Sequence, residues 1–182
     1  IISGKPIIAL LPGSRIQEIK KMLPLFVKVA KHFSSYQFVI AGAPGISKDQ
    51  YNVFIVTTSM KIVYNSTYDL LQHSTAALVT SGTATLETAL FGVPQLVCYR
   101  SSTISYWIAK RIIKLKFISL VNLILNRSAV IELIQDSLTE ESLRYHLKDL
   151  LKTSSTKKIE KEYLALKTIL GKGGASSLTA QL

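Results

Sequence analysis

The 182 residues are 48% apolar, 18% charged and 8% aromatic, enough to bury a sizeable core, which excludes the disordered, collagen-like and disulfide-rich classes and makes one domain the default. Lys and Arg number 22 against 11 Asp and Glu, a net charge of +11, so an anionic partner has to be considered: nucleic acid, an anionic membrane face or a phosphorylated ligand. Lysines and arginines interrupt the richest apolar region, residues 104–124, so nothing approaches the ~18–20 uninterrupted apolar residues of a membrane span.

The first residue is Ile, and the Ser3-Gly4-Lys5-Pro6 that follows lacks the charged start and apolar run of a signal peptide; a piece of a longer chain is expected. Ile7-Ile8-Ala9-Leu10-Leu11 is continuously apolar and stopped by Pro12-Gly13, the pattern of a strand buried on both faces of a parallel sheet. After Ser14-Arg15, the apolar Ile19, Met22, Leu23, Phe26, Val27 and Ala30 recur at three-and-four spacing. They make one face of a helix ending near Phe33, with Pro24 inside it and able to kink it. Phe38-Val39-Ile40-Ala41, closed by Gly42-Ala43-Pro44-Gly45, reads as a second strand, and Lys61-Ile62-Val63-Tyr64, after a short helical piece, as a third. A helix near Thr67–Gln72 leads to a fourth strand over residues 76–80. A helix over residues 83–91 is then stopped by Gly92 and Pro94, and Gln95–Tyr99 is a fifth strand. Five strands alternating with helices predict an α/β fold, a doubly wound, Rossmann-like parallel sheet with helices on both faces.

Beyond Tyr99 the pattern is helical over residues 104–114 and loop-like over residues 117–126. Thr139 can cap a helix running to about Leu151, and Thr153-Ser154-Ser155-Thr156 breaks the chain before a last helix to about Leu170. Residues 1–170 therefore read as one domain and residues 171–182 as a carboxyl-terminal tail. The single cysteine, Cys98, sits in the apolar run Leu96-Val97-Cys98-Tyr99 and reads as a buried structural thiol. With no partner for a disulfide inside the chain, it suits the cytoplasm.

In an open parallel sheet a ligand sits at the carboxyl ends of the strands, so the turns that follow them are the places to look. Pro12-Gly13-Ser14-Arg15 joins the first strand to the first helix. Gly13 can bring backbone N–H groups close to an anion, Ser14 can cap the helix or bond the ligand, and Arg15 offers a guanidinium fork. An ordinary strand-to-helix turn with a solvated arginine is the plainer reading. Thr80-Ser81-Gly82-Thr83-Ala84-Thr85 follows the fourth strand and opens a helix, gathering hydroxyls and unpaired N–H groups at the positive end of a helix dipole. Glu87, four residues after Thr83, can accept two hydrogen bonds from a cis-diol such as a ribose while the turn holds phosphates. Together these describe a nucleotide site; singly, each is equally a helix cap with a dipole-compensating Glu. Neither turn is a Walker loop or a Gly-x-Gly-x-x-Gly dinucleotide motif, and His32, His73 and His146 are too widely spaced for a metal cluster. No cofactor, no metal and no convincing catalytic triad are expected.

As a set the residues are more specific. Leu10-Leu11-Pro12-Gly13-Ser14-Arg15 with Glu18, Ser81-Gly82-Thr83-Ala84-Thr85-Leu86-Glu87, Gly92-Val93-Pro94-Gln95-Leu96-Val97-Cys98-Tyr99-Arg100 and Trp107-Ile108-Ala109-Lys110-Arg111 look, in this order, like lipid-A-disaccharide synthases. Ser119-Leu120-Val121-Asn122-Leu123-Ile124 with Arg127, Glu132 and Gln135 resembles that family's loop and helix beside the nucleotide; Val121 departs from it, standing where members often have Pro. The resemblance spans about residues 6–178 and implies the carboxyl-terminal, donor-binding half of a two-domain glycosyltransferase of the GT-B type. The whole enzyme would transfer 2,3-diacylglucosamine from its UDP derivative to 2,3-diacylglucosamine 1-phosphate, with inversion, to give the β(1→6) disaccharide of lipid A and UDP, without a metal. By the same resemblance Gly13, Ser14, Arg15, Ser81, Gly82, Thr83 and Thr85 would hold the diphosphate, Glu87 the ribose, and Asn122, Glu132 and Gln135 would line the cleft. The general base would belong to the missing amino-terminal acceptor domain, so no catalytic residue is named, and the chain alone is expected to bind UDP without turnover.

Residues 88–131 hold no acidic residue but do hold Arg100, Lys110, Arg111, Lys114, Lys116 and Arg127. Within that stretch Trp107, Lys110, Arg111 and Lys114 are candidates to face an anionic membrane, which would place the protein peripherally on the cytoplasmic face of the inner membrane. The alternative is that the apolar side completes the sheet's packing while the cations are solvated. A basic nucleic-acid-binding module is a further reading of the charge. Against it, Tyr and Phe do not alternate with Lys and Arg as stacking platforms would, and no nucleic-acid partner is expected. Another UDP-sugar enzyme of the same fold, such as a UDP-N-acetylglucosamine 2-epimerase, would need acid/base side chains that this half does not offer.

Overall fold

The computed structural model describes residues 4–56, 58–100 and 116–171. The helix expected over residues 104–114, with Trp107, Lys110, Arg111 and Lys114, and all but the first residue of the tail expected over residues 171–182 lie outside the described residues. The strands are β1 (Ile7–Leu11), β2 (Gln37–Gly42), β3 (Lys61–Tyr64), β4 (Ser74–Thr80), β5 (Gln95–Tyr99) and β6 (Ile131–Ile134). They form one parallel sheet in the order β3-β2-β1-β4-β5-β6. The helices, in chain order, are α1 (Ile16–Ala30), α2 (Lys48–Ile55), α3 (Thr67–Gln72), α4 (Thr83–Leu90), α5 (Leu120–Leu125), α6 (Glu140–Leu150) and α7 (Thr153–Leu170). Among the described residues no helix is long and apolar enough to cross a membrane.

The continuous apolar runs of β1 and β4 follow from burial on both faces. Ile8, Leu10, Ile40 and Leu78 pack with Ile19, Met22, Leu23 and Phe26 of α1. The alternate positions Ala9, Leu11, Val39, Ala41, Ala77 and Val79 pack with Leu70 and Leu71 of α3. This is the doubly wound arrangement that the alternation of strands and helices predicts. The helix α6 lies beside α1, and α4, α5 and α7 pack on one another.

Four local expectations are corrected. A sixth strand, β6, pairs with β5 from Leu96↔Ile131 to Tyr99↔Ile134; four residues interrupted by Glu132 are too short a run to announce a strand, and pairing on an existing sheet edge supplies what the pattern lacks. Where residues 117–126 read as loop, Leu120–Leu125 is helical, its start capped by the Ser119 hydroxyl, which accepts from the Asn122 N–H at 3.3 Å, and its end by Asn126 at φ 50°. The hydroxyl-rich residues 153–156 are not a break but the first turn of α7. Finally, α1 ends at Ala30 rather than near Phe33, and Pro24 lies within it without interrupting it.

One buried polar cluster joins α7 to the sheet. Gln95 Nε2 donates to the Thr85 carbonyl at 2.9 Å and to the Tyr163 hydroxyl at 3.0 Å, and that hydroxyl donates to the Val93 carbonyl at 3.1 Å. Burial raises the Tyr163 phenol, so it stays neutral and available as a donor. Cys98 is fully buried in β5 and burial likewise pushes its thiol up, as its apolar neighbours imply. Tyr163→Phe should lower the unfolding free energy in urea by about 0.5–1.5 kcal/mol, the net value of such a bond. Cys98 should resist a thiol reagent at pH 8 in the native protein and react once denatured, as only the thiolate attacks.

Candidate functional site

The strand order reverses its direction of growth between β1 and β4: the chain leaves β1 through α1 toward β2, and leaves β4 through α4 toward β5. The two turns therefore diverge and leave a crevice at the carboxyl ends of the strands. It encloses about 520 Å³ and is lined by Gly13, Ser14, Arg15 and Glu18 after β1, by Gly42, Ala43 and Pro44 after β2, by Thr67, and by Thr80 to Ala84 with Glu87 after β4. The sheet thus brings together Gly13, Ser14, Arg15, Ser81, Gly82, Thr83 and Glu87 from turns about 70 residues apart in sequence.

On the β1 side, Gly13 has φ +112°, and a Cβ there would come within 2.7 Å of Glu18 Cβ. The turn needs glycine for its backbone angle and for the side chain lying over it. Glu18 Oε2 accepts from the Ser14 N–H at 3.0 Å and the Arg15 N–H at 3.3 Å, and Glu18 Oε1 lies 3.6 Å from Arg15 Nη1. Two N–H groups that a ligand anion could use in this turn are thus satisfied by a carboxylate of the chain itself, an extended form of the capping box. The Arg15 side chain is 83% exposed. Glu18 is a member of this site that the residue-by-residue reading left without a role; its signal is the acidic residue three positions after the N-cap.

On the β4 side, Gly82 is the N-cap of α4 in an extended conformation, and the first N–H groups of the helix have no intrahelical acceptor. Ser81 is anchored twice, its N–H to the Cys98 carbonyl and its hydroxyl to the Ile118 carbonyl, both at 3.0 Å. Thr85 departs from the expectation. It is fully buried, its hydroxyl donates to the Gly82 carbonyl at 2.8 Å, and it lies off the crevice lining, because a residue two positions into α4 falls on the face against the sheet. Glu87, half-buried one turn into α4, borders both the crevice and an adjoining hollow formed by Asn65, Ser66, Thr67, Tyr68 and Asp69. At the crevice floor Thr80 is 6% exposed and its hydroxyl oxygen has no hydrogen-bond partner. Behind the β2 turn, the Ala43 N–H donates to the Tyr51 hydroxyl at 2.9 Å, and burial raises that phenol.

Asn122, Glu132 and Gln135 lie off this crevice lining. Asn122 is fully buried: Nδ2 donates to the Val130 carbonyl and to Glu132 Oε1, both at 2.8 Å, while Oδ1 accepts the N–H groups of Ala129 and Val130 at 2.8 and 2.9 Å. Glu132 also accepts from the Ile118 N–H at 3.0 Å and from the Ser119 N–H and hydroxyl at 2.9 and 2.7 Å. These two side chains therefore hold the backbone around α5. Among the described residues they are joined to the crevice by the bond from the Ser81 hydroxyl to the Ile118 carbonyl. Gln135 sits at φ 50°, and its carbonyl accepts from Arg100 Nη2 at 3.4 Å, which also donates to the Leu138 carbonyl. Val121, at the second position of α5, is buried; a first-turn position needs no N–H, so Pro and Val serve this path equally.

Among known proteins, the family described as lipid-A-disaccharide synthetase is matched over residues 1–181. A lipid-A-disaccharide synthase of Coxiella burnetii (strain Dugway 5J108-111) is 36% identical over 143 residues, which cover 76% of this chain and 38% of that protein. One from Persephonella marina (strain DSM 14350 / EX-H1) is 31% identical over 193 residues, covering 100% of this chain and 51% of that protein. The chain thus spans about two-fifths to a half of these relatives' length. Among solved structures, the calicheamicin glycosyltransferase CalG4 superposes with a TM-score of 0.61 at 18% identity, over 98% of this chain and 42% of that one. A putative UDP-N-acetylglucosamine 2-epimerase from Listeria monocytogenes does so with a TM-score of 0.59 at 13% identity, over 88% and 40%. At such identities the likeness is one of fold.

Replacing Asn122 by Ala strands two backbone N–H groups and one carbonyl in the interior, and should cost about 2–4 kcal/mol of stability in urea unfolding.

Proposed function

The chain belongs to the lipid-A-disaccharide synthetase family, and from that premise we propose that it is the donor-binding half of a glycosyltransferase that moves 2,3-diacylglucosamine from UDP to 2,3-diacylglucosamine 1-phosphate, forming the β(1→6) disaccharide and UDP. The observation that carries this reading is the convergence of Arg15, the N-terminus of α4 and Glu87 on one crevice at the reversal point of the sheet. The diphosphate lies against the Ser81, Gly82 and Thr83 turn, where the helix dipole and free N–H groups favour negative charge, with the Arg15 guanidinium closing over it from the β1 side. Glu87 accepts the ribose hydroxyls from one turn deeper, next to the hollow at Asn65 to Asp69.

Charge accumulates on UDP as the sugar departs, and donors fixed before the reaction stabilise that charge without reorganisation. Gly13 and Ser14 shape the β1 turn, and Asn122 and Glu132 hold the wall behind Ser81. The acceptor and the base that deprotonates its hydroxyl belong to the other half of the enzyme, so this chain alone binds donor without turnover. Trp107, Lys110, Arg111 and Lys114 are assigned to the anionic membrane surface on which lipid substrates lie.

Thermal unfolding with and without UDP tests the reading. UDP at ten times its dissociation constant adds about 1.4 kcal/mol, a rise of about 3–6 °C for a domain of this size. Arg15→Ala should abolish most of that rise, and no shift with millimolar UDP would overturn the donor-half reading.

A further inference from the structure

We propose that Glu18 is a positioning residue: the β1 turn is built around a carboxylate of this chain, and that carboxylate holds Arg15 in place for the diphosphate of a nucleoside diphosphate. The inference rests on the donor-half reading above. Two of the N–H groups of the turn, on Ser14 and Arg15, end on Glu18 Oε2 at 3.0 and 3.3 Å, so a phosphate cannot use them while Glu18 is in place. The charged group that the turn still offers a ligand is the Arg15 guanidinium. Its Nη1 lies 3.6 Å from Glu18 Oε1, close enough for attraction but longer than a hydrogen bond, so the fork keeps its donors for a second anion.

Three features favour this over a carboxylate that merely stands in for the ligand. Glu18 is the third residue of α1 and its bonds cap that helix, so displacing it would uncap α1. Gly13 has no room for a side chain on the face that Glu18 covers, so the turn is shaped to this partner. Arg15 is 83% exposed, and an exposed arginine has many rotamers to lose on binding; a fixed negative charge beside it reduces that loss before the ligand arrives.

Calorimetric titration with UDP tests this on the wild-type chain, Glu18→Ala, Glu18→Gln, Arg15→Ala and the Arg15→Ala/Glu18→Ala double variant, with the melting midpoint of each free protein. Glu18→Ala should weaken UDP about five- to tenfold and Glu18→Gln about two- to threefold, since Gln keeps an oxygen for the two N–H groups but not the charge. In the Arg15→Ala background the Glu18 change should alter affinity by less than about twofold, because a residue acting through Arg15 has nothing left to position. Unchanged affinity with a lowered midpoint would make Glu18 a helix cap only, and tighter binding would make it an internal competitor; either overturns the proposal and leaves the donor-half reading standing. Wild-type chain that binds no UDP would overturn both. Should Glu18→Ala not fold, Glu18→Gln, which keeps the cap, carries the same comparison in both backgrounds.

Discussion

Everything in the crevice depends on the parallel pairing of β1 with β4. The pairs Leu10↔Leu78 and Leu11↔Val79 lie between helical layers, with side chains buried on both faces, so no water competes for the ladder hydrogen bonds at the middle of the sheet. Because the chain winds away from this pair in opposite directions, the turns after β1 and β4 end side by side. A ligand site on the ends of two buried strands inherits their rigidity, which sites on long loops lack.

Carboxylates organise the walls of that site. In a chain with 11 acidic residues against 22 basic ones, Glu18 and Glu132 are both placed on backbone N–H groups rather than on surface cations alone. Each gathers the backbone donors of a turn; around Glu132, where the segment is part-buried, an unmet donor would cost about 1–3 kcal/mol. Glu132 does this for residues 118–119, and through the Ile118 carbonyl it supports Ser81. Glu18 does it for Ser14 and Arg15. The positive end of α4 is left with no such internal anion among the bonds that define its turn.

The strands β1 to β5 and most helices were legible because their hydrophobic periods match their burial: unbroken apolar runs for strands covered on two faces, three-and-four spacing for α1. That Gly13, Arg15, Ser81 and Glu87 line one crevice was legible because the turns after parallel strands gather at the carboxyl ends of the sheet. Thr85 was not, since hydroxyl chemistry is the same whether a threonine faces a ligand or caps its own helix; only its position two residues into α4 decides. Asn122 and Glu132 resembled lining residues for a similar reason. A polar side chain near a nucleotide and one that braces the backbone beside it read alike until the partners are known.

By itself the sequence determined the alternation of elements, the parallel sheet and the two turns, because these follow from local periodicity and from glycine, proline and hydroxyl placement. Tertiary structure alone decided that Ile131–Ile134 is a strand, since a four-residue segment becomes one only when β5 offers it an unpaired edge. It also decided which polar groups remain free. Two N–H groups that local reasoning gave to a ligand belong to Glu18, three and four residues away and folded back over Gly13, because a turn-bound donor goes to the first acceptor that the fold brings within reach.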